Sequence, residues 1–293
     1  MGWIVATSAV NFHPSPVVSL RNMKVYLQRK RVFSCAHRYW NPNHEASWNA
    51  AYFGRLAEIH GHNYTVTATI AGEVDPVSGI VINLVDVKGW LAAAVSPFEN
   101  RCVDAAADIM DGRQASGENI ARILWERLQT SARGTPARLD SVRLAESDEL
   151  WSEYRGEGDL VYVTKVYDFS AAHRLHAEDL SDEDNARVFG KCNRAGGHGH
   201  NYIIEITVKG AVDRETGFAY CLDRLDAIVD ERVIQPMDHR NLNTDVPQFA
   251  HLNPTSENLA VVIWTALHPE VGPALHKVRV EETPRNAFEY LGE

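Results

Sequence analysis

Histidines recur in this chain at spacings that suit a metal ion. His60 and His62 flank a glycine in HGHNY, and His198 and His200 repeat the arrangement. Residues two apart on a strand point to the same side, so each pair offers two imidazoles to one face. A third histidine closes a partly alternating, β-branched run ahead of each pair: His37 in VFSCAH and His173 in DFSAAH. Three nitrogen ligands leave one position of a tetrahedral zinc ion open, the pattern of a catalytic rather than a structural site. Iron, nickel or copper would accept the same ligands. A lone histidine of this kind is ordinarily a surface or hydrogen-bonded residue; the recurrence of all three marks them. His44, His176, His251, His268 and His276 have no counterpart and read as surface or packing residues.

The elements that must position these side chains also come twice. VFSCAHRYWNP resembles DFSAAHRLHAE, and HGHNYTVTATIAGEVDPVSG resembles HGHNYIIEITVKGAVDRETG. SGENIARILWERL resembles SENLAVVIWTAL, and SVRLAES resembles KVRVEET, in the same order and at offsets of 136 to 139 residues. Such regular self-similarity is a tandem duplication. The repeats span 24–150 and 160–293, with the polar segment RGEGD at 155–159 as a flexible join and 1–23 as a loose extension containing Asn11, Pro14 and Pro16. Each repeat reads as two strands followed by two helices, at 84–94 and 118–128 in the first and 222–234 and 257–267 in the second. Ser116 and Ser256 are expected helix N-caps. With closing strands the order is ββααββ, an α+β unit carrying helices on one face of an antiparallel sheet.

Composition narrows the partners. At 293 residues the chain is about twice a common domain size. Its 29 Lys and Arg against 39 Asp and Glu give a net charge of −10, which argues against a general nucleic-acid or membrane-surface binder. No run approaches the ~20 apolar residues that span a bilayer. The opening segment lacks the basic start and apolar stretch of a secretion signal. Four cysteines lie far apart without a CxxC pair, so a reducing, cytoplasmic setting is expected. Cys192, between Lys191 and Asn193 on the approach to His198, can supply a thiolate base, because a nearby cation lowers a thiol pKa toward neutrality. Cys35 and Cys221 sit inside apolar runs and read as packing residues.

The segments FSAAHRL, GKCNRAGGHGHNY, QPMDHRNLNTDVPQF, PTSENLAVVIW and VRVEET resemble those of 6-pyruvoyltetrahydropterin synthases. The 6-carboxytetrahydropterin synthases of queuosine biosynthesis are close relatives. The resemblance covers nearly all of the second repeat and, more weakly, the first. It implies the tunnelling fold (T-fold), whose units assemble side by side into a barrel of strands. It also implies zinc on three histidines, 7,8-dihydroneopterin triphosphate as substrate, and active sites between subunits. The exposed edges of a four-strand sheet lead to the expectation of a homo-oligomer, three chains or a multiple of three. By the same resemblance Asp238 and His239 form an acid/base pair reaching a neighbour's zinc, and Glu282 anchors the pterin. Thr255 and Ser256 contact the ring or cap a helix.

The first repeat keeps His37, His60, His62 and Glu146, the counterpart of Glu282. Cys192 maps to Gly54 and Asp238-His239 to Glu99-Asn100, and an asparagine cannot exchange protons as histidine does. Glu58 is a substitute base or a solvated charge. The leading expectation is a zinc-dependent 6-pyruvoyltetrahydropterin synthase; the five residues between Cys192 and His198 resemble that branch more than the carboxy-forming one. A pterin or purine sensor without turnover and a three-histidine hydrolase are the other readings.

Overall fold

The computed structural model describes residues 24–293; the expected extension at 1–23 lies outside them. The first repeat runs β1 (Lys24–His37), α1 (Ala46–Phe53), β2 (His60–Glu73), α2 (Leu84–Val95), β3 (Cys102–Val103), α3 (Gly117–Ala132), β4 (Arg138–Ala145) and β5 (Leu150–Tyr154). The second repeats it with β6 (Leu160–His173), α4 (Asp182–Phe189), β7 (His198–Ala211), α5 (Leu222–Val229), α6 (Gln235–Met237), β8 (Arg240–Asn241), α7 (Leu242–Asp245), α8 (Ser256–Val271), β9 (Leu275–Thr283) and β10 (Asn286–Tyr290).

The α+β class holds, but the ββααββ order needs a correction. A short helix stands between the first two strands of each repeat, and a two-residue strand pairs parallel with the end of the first. The helix ASWNAAYF carries no continuous apolar stripe for a periodicity reading to find. A buried amide holds it instead: Asn49 Nδ2 donates to the carbonyls of Asn41, His44 and Glu45, and Asn185 does the same for Ala177, Leu180 and Ser181.

β1 and β2 pair antiparallel along their whole length, from Lys24 opposite Glu73 to His37 opposite His60. On β2 the inward set Tyr64, Val66, Ala68 and Ile70 is buried beneath Val87, Leu91, Ile120 and Leu124 of α2 and α3. The alternate Thr65, Thr67 and Thr69 line a polar hollow on the other side with Lys30, Arg143 and Glu153. This alternation is what an antiparallel sheet covered on one face requires.

The two repeats share one sheet of order β10-β9-β7-β6-β5-β4-β2-β1-β3 and one continuous apolar core. β5 pairs antiparallel with β6, so the segment 155–159 is a tight turn rather than a flexible join. Tyr154 Oη donates to the Gly158 carbonyl (2.7 Å), the Val212 N–H donates to Asp159 O (3.1 Å), and Gly156, at φ 78°, lies flat against Trp125. Among the described residues no helix is long and apolar enough to cross a membrane.

A second correction concerns the caps. Ser116 caps α3 by accepting from the Asn119 N–H, but Thr255, not Ser256, caps α8, accepting from the Asn258 N–H. At the helix offset of 139 residues Thr255 is the true counterpart of Ser116, and Ser256 is the first helical residue.

Candidate metal centres

Each repeat brings its three histidines together at the ends of its two longest strands. In the second, ligand nitrogens of His173, His198 and His200 all lie within 4.8 Å of one another. The His173 Nδ1–H donates to the Pro254 carbonyl (2.8 Å). A carbonyl only accepts, so that nitrogen carries the proton and Nε2 is bare. His173 Nε2 lies 3.2 Å from His198 Nε2, and His200 Nε2 is buried without a hydrogen-bond partner. Glu282 Oε1 stands 3.6 Å from Nε2 of both His173 and His200. Burial pushes His173 and His198 below the ordinary imidazole value, keeping them in the neutral form that ligates. Convergent, bare nitrogens with an orphan among them are what a metal ion would satisfy, so the donor set fits one.

The other expected residues divide between the two faces of the sheet. Cys192 sits half-buried in a 3₁₀ turn (Gly190–Asn193), and its carbonyl accepts from the Leu175 N–H (2.9 Å), which pins the turn to the chain just past His173. The Tyr202 hydroxyl lies 3.3 Å from His173 Nδ1. Asp238 and His239 are elsewhere. Asp238 Oδ1 accepts from the Ser170 N–H (2.9 Å), Oδ2 lies 2.8 Å from His239 Nδ1, and the imidazole is 82 % exposed. His239 lines a hollow with Ser170, Ala172, Gly199 and Asn201, which alternate with the ligand positions, and with the ligand candidate His200. Among the described residues no hydrogen bond or ion pair joins Asp238 or His239 to the three histidines of its own repeat. Backbone hydrogen bonding and the adjacent imidazole hold the Asp238 carboxyl below the usual range. Thr255 is occupied as a cap, whereas Ser256 Oγ is buried and unpartnered.

The first repeat forms the same cluster from His37, His60 and His62. His37 Nδ1–H donates to Ala115 O (2.6 Å) and His60 Nδ1–H to Glu58 O (2.8 Å), while His62 Nε2 is buried without a partner. Tyr64 Oη lies 3.1 Å from His37 Nε2. Burial pushes His37 down to about 4. Glu146 approaches His62 Nε2 at 3.8 Å, and burial with the neighbouring Glu118 raises its carboxyl to about 8. The Glu58 side chain is exposed, and its contribution is the carbonyl that orients His60.

The mapping of Cys192 to Gly54 is corrected by two residues. Gly54 and Gly190 take the same left-handed position (φ 54° and 51°), and the carbonyls of Leu56 and Cys192 receive equivalent bonds, from Tyr39 and Leu175. Leu56 therefore replaces the cysteine; the second repeat is longer by two residues between this turn and its HGH. Asn100 does stand in the place of His239: both have positive φ, 59° and 56°, and both N–H groups donate to the facing serine carbonyl, Ser34 or Ser170. Cys35 is buried as expected, but Cys221 is exposed just ahead of α5.

The sequence reading missed what covers the first centre. Phe218, from the second repeat, stacks on Tyr39 with ring centroids 5.1 Å apart, and Glu118 is buried beneath the Ala219 N–H. The only trace of this in the sequence is the matched spacing of DPVSGI and DRETGF, which says nothing of where either loop lands.

Comparison with known proteins gives a consistent result. The family model described as 6-pyruvoyl tetrahydropterin synthase matches twice, over residues 26–157 and 162–293. The chain is 47% identical over 133 residues to the 6-pyruvoyl tetrahydrobiopterin synthase of Poecilia reticulata, covering 45% of this chain and 90% of that protein. The Homo sapiens protein of the same name is also 47% identical over 133 residues, covering 45% and 91%. Among solved structures, 6-pyruvoyl tetrahydropterin synthase of Caenorhabditis elegans matches with 43% identity and a TM-score of 0.45, over 46% of this chain and 98% of that one.

Proposed function

The chain belongs to the 6-pyruvoyl tetrahydropterin synthase family, and from that membership we propose that its second repeat is a zinc-dependent 6-pyruvoyltetrahydropterin synthase. The reaction is elimination of triphosphate from 7,8-dihydroneopterin triphosphate. The observation that carries this reading is the convergence of His173, His198 and His200 beside Glu282, with Cys192 pinned to the same strand end. Zinc held by these three histidines would stabilise negative charge developing on side-chain oxygens of the substrate, as it does when it lowers the pKa of bound water from about 15.7 to about 7.

The remaining work falls to the chain's own groups. The Cys192 thiolate takes a proton from a carbon bearing a hydroxyl, and the carbon–oxygen bond to triphosphate then breaks. Glu282 accepts paired hydrogen bonds from the pterin amino group and ring N–H. Ser256, with its hydroxyl unengaged, contacts the ring, and Thr255 holds the start of the helix that presents it. Asp238 orients His239, which passes a proton to substrate oxygen; with no hydrogen bond to its own triad, the pair serves a centre completed by another copy. A T-fold homo-oligomer and a cytoplasmic setting complete the reading; the cysteines described are all free, as a reducing compartment would keep them.

The first repeat supports a second role. With Leu56 and Asn100 where the thiol and imidazole would stand, it binds metal and a pterin-like ligand through His37, His60, His62 and Glu146 without turning it over.

Incubation with 7,8-dihydroneopterin triphosphate and zinc should release triphosphate and give a product with the mass of 6-pyruvoyltetrahydropterin. Cys192→Ala should lower kcat by about 10²–10⁴-fold with metal content unchanged, the range expected for loss of a general base. Tight binding with no turnover would favour the sensor reading, and the carboxy product mass the other branch of the family.

A further inference from the structure

Both repeats place an arginine directly after the buried ligand histidine, Arg38 after His37 and Arg174 after His173. The two side chains take different partners. Arg174 reaches the 3₁₀ turn that carries Cys192: its Nε donates to the Asn193 carbonyl and its Nη2 to Asn193 Oδ1, both at 3.0 Å. His176 Nδ1 closes the group, 3.0 Å from Asn193 Oδ1 and 3.2 Å from Arg174 Nη2. Asn243 fixes the backbone of the arginine from the other side, accepting from its N–H (2.8 Å) and donating to its carbonyl (2.9 Å). With the Leu175 N–H on the Cys192 carbonyl (2.9 Å), consecutive residues of the turn are tied to consecutive residues beyond the ligand. A guanidinium suits this work, because its planar fork donates in fixed directions at once.

In the first repeat the group has changed together with the thiol. The equivalent turn, Gly54–Ala57, has Leu56 for Cys192 and Ala57 for Asn193, so no side-chain amide meets the arginine. Trp40 stands in the place of His176. Asp104 stands in the place of Asn243, two residues past the matched pairings of Ala36 with Cys102 and of Ala172 with Asn241. The Asp104 carboxylate takes the guanidinium: Arg38 Nε and Nη2 both donate to its Oδ2, at 3.1 and 2.9 Å, and the group lies 4.4 Å over the Trp40 ring. The backbone bond from the Tyr39 N–H to the Leu56 carbonyl (2.8 Å) is kept. The arginine is common to both repeats; its hold on the turn is found where the thiol is.

We propose that Arg174 is a positioning residue for Cys192, acting through Asn193 and His176. Its guanidinium fastens the turn so that the sulfur keeps one place beside the metal centre. The neutral amide of Asn243 permits this, and a carboxylate there would draw the guanidinium off the turn as Asp104 holds Arg38. The inference rests on the reading of Cys192 as the base. A reacting group misplaced by about 1 Å loses on the order of 10²-fold in rate, which sets the scale of the effect.

The test compares Arg174→Gln, Asn193→Ala, Asn243→Asp and the double variant Arg174→Gln/Asn193→Ala in the full chain. Arg194→Gln, at an exposed position just past the turn, is the control for charge alone. Each is scored by kcat and KM with 7,8-dihydroneopterin triphosphate, by bound metal, and by the rate at which iodoacetamide alkylates Cys192, read by peptide mass spectrometry. Arg174→Gln and Asn243→Asp should each lower kcat by about 10²-fold with KM and metal content nearly unchanged. Both should also speed alkylation of the half-buried thiol several-fold. The double variant should be no worse than its worse single, because both changes break the same bonds. Asn193→Asp, which keeps both acceptors, should recover most of what Asn193→Ala loses. Additive losses, an unchanged alkylation rate in Arg174→Gln, or an equal effect of Arg194→Gln would overturn the proposal. If the wild-type chain turns nothing over, the catalytic reading of Cys192 fails, and the alkylation rates decide by themselves whether Arg174 sets the turn.

Discussion

Glu118 and Glu257 occupy the same place in the first turn of α3 and α8, and only the first is covered. Burial pushes the Glu118 carboxyl from 4.5 up to about 7. Between those values the folded chain holds a proton that the unfolded chain has released. Stability therefore falls as pH rises through that window, and the cost is complete above about 7. At 1.36 kcal/mol per pH unit its ceiling is about 3 kcal/mol. Glu118→Gln keeps an acceptor for the Ala219 N–H and removes the charge. Scanning calorimetry should show a Tm higher by a few degrees at pH 8 and nearly unchanged at pH 4; equal values at pH 8 would mean that the carboxylate is solvated. The orphan nitrogens of His62 and His200 lead to a count: about two metal ions per chain, one fewer in either His62→Ala or His200→Ala, read by elemental analysis. A variant that loses neither ion would remove its residue from the ligand set.

Two backbone features place side chains that strand geometry alone would not. Gly197 lies just ahead of His198 at φ 66°, and a Cβ there would stand 2.9 Å from the His173 carbonyl. Gly197→Ala should cost about 1–3 kcal/mol from the left-handed conformation and the displaced strand end, and should weaken metal retention. Gly196→Ala, with open space around the position, should be close to neutral in the same urea titrations. If both behave alike, the approach to the triad is not held by this contact. The second feature is a π turn at Asp230–Ile234, where the second repeat gains one residue over the first between α5 and His239. Absorbing that residue as a wide turn keeps Asp238 and His239 in the same register against Ser170 as Glu99 and Asn100 have against Ser34.

At the scale of the whole molecule the duplication has fused rather than merely repeated. The repeats share a sheet through β5 and β6, a core without a break, and a loop from one lying over the metal centre of the other. Domains separated by a tether unfold independently, but these have no surface to separate along without exposing strand edges and apolar core. Calorimetry of the metal-loaded chain should show one transition, with van't Hoff and calorimetric enthalpies equal per cooperative unit. Two resolved transitions would mean that the shared sheet contributes little to holding the repeats together.

Much of this was legible in the residues. The duplication, the long strands, the facing of His60 with His62 and of His198 with His200, and the helices over the sheet follow from repeat spacing and periods of two and 3.6, which are local properties of a chain. The helix around Asn49 was hidden, because a buried amide stabilises it where a periodic stripe would normally announce it, whereas the helix around Asn185 carries a Ser181 N-cap and an acidic first turn that the reading passed over. The match of Cys192 with Leu56 and the exposure of Cys221 were equally out of reach. Each of these depends on which carbonyl or strand a residue meets many positions away. Spacing along a chain sets the direction of a side chain within its own element; what it faces is settled when distant elements dock and compete for the same hydrogen bonds.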